Sequence, residues 1–175
     1  MRNNVFDNVK FLMILLVVFG HLIEPLINSF EAVRIIYMFI YCFHMPIFII
    51  LAGALTKLDV SESRLLKNIK SLLIPLLIFT VLYEVFNLVG GKGVSHYTLN
   101  WKPYWILWFL FSMFIWKMAL PVIMQFKHPL LLSICISLCA GYINDVGYFL
   151  GVSRTIYFFP LFILGYKLGP AILSN

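Results

Sequence analysis

The sequence predicts an all-α protein, a polytopic bundle of about six membrane-spanning helices. Three observations carry that reading. The 175 residues are 62% hydrophobic and only 11% charged, whereas a soluble domain carries about 25% charged residues, so these charges do not suffice to cover a water-facing surface. The apolar residues lie in continuous runs of near-spanning length, at about 20 residues per crossing. The runs lack the strict alternation that a membrane β-barrel requires.

Six runs follow in order: residues 9–27, 33–55, 72–89, 104–124, 129–150 and 156–173. The joints between them are polar or turn-rich. Asn28-Ser29 separates the first pair, and a charged loop runs from Lys57 to Lys70. A longer loop runs from Gly90 to Pro103, a short one from Gln125 to Pro129, and Asn144-Asp145 with Gly151 to Arg154 mark the last junction. The first run is too long for a signal peptide and lacks a small-residue cleavage site, so it reads as a retained span. The chain reads as one membrane domain over residues 1–175.

The basic residues orient it. With the amino terminus in the cytoplasm, nine Lys and Arg fall inside and four outside, as the positive-inside rule favours. The place is then the cytoplasmic (inner) membrane. Trp101, Tyr104 and Trp105 fall where an outer aromatic belt belongs. The net charge of +6 is scattered between apolar runs, with no basic face or aromatic reader motif, so nucleic acid is not a partner. Cys42, Cys135 and Cys139 show no metal-ligand spacing and read as buried free thiols. No metal site is expected. Hydrolase, metalloprotease and nucleotide-binding signatures are absent.

Chemistry is expected first in the opening span. Lys10 and His21 are eleven positions apart, almost three helical turns, so they share one face about 16 Å apart along the axis. Ionisable groups in a bilayer face a protein interior or a wet cavity. Imidazole exchanges protons near neutral pH, so a deep His21 suits a general base on a hydroxyl. Lys10, near the cytoplasmic surface, suits the phosphates of an anionic donor. Asp7 lies three residues before Lys10 and Glu24 three after His21, close enough to pair; Glu24 is placed to orient the imidazole. The alternative is structural: Lys10 snorkels to the interface and His21 bonds a neighbouring helix. His44 in the second span precedes Pro46, which kinks helices and frees backbone acceptors, and Gly53 allows close helix approach. A packing histidine beside a structural kink is the alternative here.

The loop residues Arg64, Lys67 and Lys70 share a face if helical. That strip suits phosphate groups of a nucleotide-bearing donor and, equally, anionic lipid. His96 and His128 read as ordinary surface residues.

Together these residues resemble the acyltransferase-3 family of integral membrane acyltransferases, most closely its fucose 4-O-acetylase-related branch. Its first-span pattern, a basic residue followed after ten positions by His, is met by Lys10 and His21. The His-x-Pro pattern with a following Gly is met by His44, Pro46 and Gly53. The basic stretch with Arg64, Lys67, Lys70 and Pro75, the Trp108-Phe109-Leu110 segment, and the late Pro160, Gly165 and Tyr166 follow in order. The resemblance implies transfer of an acyl group, usually acetyl, from acyl-CoA to a hydroxyl of a cell-envelope carbohydrate. Acetyl-CoA is then a donor substrate, with no bound cofactor. His21 becomes the catalytic base, with Lys10 and Arg64 as donor-side partners, His44 as a second pocket residue and Trp108 in the pocket lining. Family members usually have about ten spans, so the chain resembles the amino-terminal part of one, with a partner chain or oligomer left open. The competing function is a truncated, non-catalytic membrane protein or a transporter-like fragment, since buried Lys and His also mark ion pathways. The six runs show no inverted repeat, and acidic residues number only 7.

Overall fold

The computed structural model describes residues 4–95, 107–142 and 151–173. All regular structure among them is helical. Helices α1 (Asn4–Ile23) and α2 (Glu31–Ala54) come first, then α3 (Glu62–Asn68), a π-helical turn (Ile69–Leu73) and α4 (Ile74–Val89). Helices α5 (Trp108–Ile123), α6 (Pro129–Gly141) and α7 (Val152–Leu173) complete the order.

Three continuous helical stretches are long and apolar enough to cross a membrane: Asp7–Leu26, Glu31–Ala54 and Glu62–Val89. The 24 residues of α2 extend about 36 Å, enough for the roughly 30 Å hydrocarbon layer. Helices α5 and α6 are apolar but shorter, at 16 and 13 residues. Large apolar side chains such as Phe11, Leu22, Phe39, Leu77 and Phe86 point outward. Water would penalise that surface and lipid does not. The chain is a helical membrane protein.

Two boundaries differ from the sequence reading. The charged stretch 57–70 is not simply a loop. Ser61 is the N-cap of α3, its side-chain oxygen accepting the Arg64 N–H at 3.3 Å, so the basic residues lie on a helix that runs on into the third span. The π turn follows from Pro75. A proline ring crowds the carbonyl four residues back and supplies no N–H; here Ile74 N–H reaches Ile69 O instead, widening the turn. The last helix begins at Val152, four residues earlier than expected. The fifth run is helical over Pro129–Gly141, and its remainder from 143 lies outside the described residues, as do Trp101, Tyr104, Trp105, Asn144, Asp145 and His96.

The chain forms two compact units. The first comprises Met1–Thr56 and Leu161–Asn175, the second Lys57–Pro160. In the first, α1 ends where Pro25 forbids a further α turn. The chain tightens into a 3-10 turn at Glu24–Leu26, and the Ser29 and Phe30 N–H groups bond Leu26 O. This short connection, centred on Asn28-Ser29 as expected, returns α2 along α1. Helix α2 then meets the carboxyl-terminal part of α7 backbone to backbone. A Cβ at Gly53 would strike the Phe162 carbonyl oxygen, with Tyr166 N at 2.9 Å. One at Gly165 would strike Ile50 O, and one at Gly169 would lie 2.6 Å from Ala54 O. The small residues in register let dispersion act between main chains where no hydrophobic force operates. Ile49, Phe162 and Ile163 seal the crossing and are wholly buried.

The second unit is built on α5. Trp116 Nε1–H donates to Thr155 O at 2.7 Å, and the Ser112 and Thr155 hydroxyls meet at 2.6 Å. Thr155 Oγ1 also donates to Gly151 O at 3.0 Å. These buried polar atoms satisfy one another, as an apolar surrounding demands.

Replacing Gly53 or Gly165 with Val forces the α2–α7 backbones apart. Overpacking costs about 1–3 kcal/mol or more. Thermal unfolding of the detergent-solubilised variants is expected several degrees below wild type; unchanged unfolding temperatures would contradict the crossing.

Candidate active site

In the first unit, the polar side chains of α1 and α2 gather around Glu24. Because the helix ends at Ile23, Glu24 stands on the 3-10 turn one helical turn beyond His21. Its Oε2 lies 3.3 Å from His21 Nδ1, and Tyr37 Oη donates to its Oε1 at 3.4 Å. Tyr41 Oη lies 3.4 Å from the same His21 nitrogen. The Tyr37 and Tyr41 rings stack, with centroids 4.0 Å apart. Tyr41 also meets the His21 ring edge-on at 6.2 Å and the His44 ring at 4.6 Å. It thus stands between the two imidazoles. Gly20 makes room for it: a Cβ there would lie 2.9 Å from Tyr41 Cε2.

His44 is 2% exposed, and its Nδ1 bonds Ile40 O at 2.7 Å. A carbonyl oxygen can only accept, so Nδ1 carries the proton and Nε2 is the acceptor in the neutral ring. Helix α2 runs unbroken through Pro46. The same logic applies to His21: a proton on Nδ1 shared with the Glu24 carboxylate leaves the lone pair on Nε2. His21 and Lys10 are less buried than the sequence suggests. Their side chains are 26% and 37% exposed, because α1 packs chiefly on α2 and leaves its other faces outward.

Lys10 pairs with Asp7 at 3.5 Å. It belongs to a different level of α1 from His21, so the two share a helix but not a contact. The arrangement matches the spacing argument for both i, i+3 pairs.

In the second unit, Arg64 and Lys67 lie on α3 and Lys70 on the π turn. Ser63, Leu66, Lys67, Lys70 and Ser71 line an open groove of about 570 Å³. Arg64 Nε lies 3.6 Å from Asp59 Oδ2. The Ser61 N–H on Asp59 Oδ1 at 2.9 Å holds that carboxyl below the usual carboxylate range, so it stays ionised beside Arg64. Lys117, on α5, lies close enough to Arg64 and Lys67 for their charges to act on it. This convergence of cations suits an anionic ligand. Trp108 is largely buried. It stacks on Phe158 at 5.7 Å and carries the Arg154 guanidinium 5.6 Å from its ring, so its contacts run to the start of α7.

Tyr37, Tyr41 and Lys117 were missed by sequence reasoning. A signal existed for the tyrosines: positions 37, 41 and 44 recur at helical spacing, so Tyr37, Tyr41 and His44 form one stripe on α2. Lys117 had none, since its neighbours are tertiary. The three cysteines, expected to be buried, are exposed; on apolar helices, thiols lose little by facing outward. His128 is exposed, as expected of a surface residue. Among the described residues no three His, Cys, Asp or Glu converge as a metal site.

Fold and site define a helical membrane protein with ionisable groups set inside apolar helices. Residues 3–173 match the acyltransferase domain of the acyltransferase-3 family, and the chain belongs to that family. It is 30% identical over 130 residues to the nodulation protein NolL of Sinorhizobium fredii, a stretch that is 65% of this chain and 35% of NolL. The chain thus spans about a third of the length of that relative. No solved structure matches it.

Removing the Ser61 cap tests how the basic strip is held. Ser61→Ala should cost about 1 kcal/mol locally and raise hydrogen exchange at the Arg64 and Leu65 amides. Unchanged exchange there would show the strip is fixed from elsewhere.

Proposed function

We propose that this chain is an integral membrane O-acyltransferase that moves an acyl group, usually acetyl, from acyl-CoA to a hydroxyl of a cell-envelope carbohydrate. The observation that carries the reading is the His21–Glu24 pair inside a chain of the acyltransferase-3 family. An imidazole oriented by a carboxylate is the arrangement that makes a hydroxyl nucleophilic.

In this reading, His21 Nε2 takes the proton of the acceptor hydroxyl as its oxygen attacks the thioester carbonyl. The C–S bond of the tetrahedral intermediate then breaks, and the imidazolium returns the proton to the departing CoA thiolate. Glu24 stabilises the imidazolium during the step. Arg64 and Lys67, in the second unit, hold donor phosphates; Lys10, in the first, is a donor-side cation in its own right, with Asp7 setting its ammonium. His44 shapes the acceptor side within the first unit, and Trp108 lines a pocket within the second. The donor is a substrate; no resident cofactor is required. The amino terminus lies in the cytoplasm and the protein in the inner membrane, following the distribution of Lys and Arg. The carbohydrate acceptor and the fucose 4-O-acetylase-related branch are our finer assignments, and both follow from the sequence resemblance. A partner chain or a second copy is compatible with the site.

The test is transfer of labelled acetyl from acetyl-CoA to a panel of envelope oligosaccharides, fucosylated ones included, using the protein in its native membranes. His21→Ala should reduce transfer by about 100-fold or more. Full activity in that variant would end the assignment. No transfer in wild type, together with no stabilisation by CoA, would favour a non-catalytic membrane protein. Lys10→Ala and Arg64→Ala are each expected to raise the donor KM several-fold while leaving thermal unfolding nearly unchanged, since both side chains are partly exposed and screened. An unaltered donor KM would remove them from the donor site.

A further inference from the structure

Glu24 stands on a three-residue 3-10 turn, not within a regular helix, and its terminal torsion is broad. Something must fix the plane of its carboxylate. One oxygen faces His21 Nδ1 at 3.3 Å and the other accepts from Tyr37 Oη at 3.4 Å. The carboxylate is thus bracketed, with α1 on one side and α2 on the other. Tyr37 is fixed in turn by stacking on Tyr41, at 4.0 Å and 26° between planes. These oxygen contacts are long for hydrogen bonds.

We propose that Tyr37 is a positioning residue for His21, acting through Glu24. This rests on the reading of His21 as the base. The phenol hydroxyl holds Glu24 Oε1, so that Oε2 stays on His21 Nδ1. The imidazole then keeps its proton on Nδ1 and its lone pair on Nε2. Tyr37 does not touch the reacting atoms in this scheme. Its contribution is the tautomer and angle of the ring, which decide proton transfer and not ground-state affinity. Tyr41 supports the same geometry by packing between His21 and Tyr37.

Tyr37→Phe keeps the ring and its stacking on Tyr41 and removes only the hydroxyl. In the labelled acetyl assay, kcat is expected to fall about tenfold, with both KM values and the unfolding temperature unchanged. A purely structural role would instead lower the unfolding temperature. In a Glu24→Gln background the same substitution should change kcat less than about twofold, because Tyr37 works through the carboxylate. Wild-type kcat in Tyr37→Phe would overturn the proposal. So would a KM effect, or an undiminished tenfold loss in the Glu24→Gln background, since either indicates a direct contact with substrate. The outcomes separate cleanly: activity in His21→Ala removes the base assignment itself, whereas an inactive His21→Ala beside a fully active Tyr37→Phe removes only Tyr37.

Discussion

An imidazole inside an apolar span must be hydrogen-bonded, and much of the first unit is arranged around that demand. A polar group left unpaired in hydrocarbon costs several kcal/mol. His44 meets the demand within its own helix, on Ile40 O. His21 meets it with the carboxylate of Glu24, which is available only because Pro25 ends α1 and lets the chain turn. The proline that stops the helix therefore also places the acid. Tyr37 and Tyr41 then bring α2 to the same point, so one polar cluster ties both helices together at the level of His21.

The rest of the first unit depends on a different force. Lipid is as apolar as the side chains, so helices associate by close packing and not by escaping water. Gly53, Gly165 and Gly169 give α2 and α7 that closeness. With Ile49, Phe162 and Ile163 buried there, the crossing fixes α2 below the polar cluster, and α2 in turn carries Tyr37, Tyr41 and His44. In the second unit, the basic residues are held by a capped helix and a π turn, both set by local sequence at Ser61 and Pro75.

The helical membrane class was legible from composition and run length alone, and both i, i+3 pairs, Asp7–Lys10 and His21–Glu24, followed from spacing. Spacing works there because partners on one helix need no tertiary knowledge. It gave no exposure: Lys10 and His21 look buried in a hydropathy run but are partly open, since burial depends on what packs against α1. The stretch 57–70 was hidden by its charge. Its Ser61 cap was visible, but polar residues drew it as a loop. Lys117 beside Arg64 and Lys67 joins residues about fifty positions apart, and no local pattern reports that. The tyrosine stripe was the one readable signal passed over, because aromatic residues on a span read first as lipid-facing.

The proposed function places His21 at the centre of the protein's chemistry. The most direct test is chemical rescue of His21→Ala by added imidazole, measured as acetyl transfer in the presence of acetyl-CoA and acceptor. The account predicts saturable recovery of transfer, with rates that track the basicity of a series of substituted imidazoles, because the vacated space beside Gly20 and Tyr41 lacks only a base. Recovery that is indifferent to basicity, or no recovery from a variant that is folded and still binds CoA, would contradict a proton-accepting role for His21.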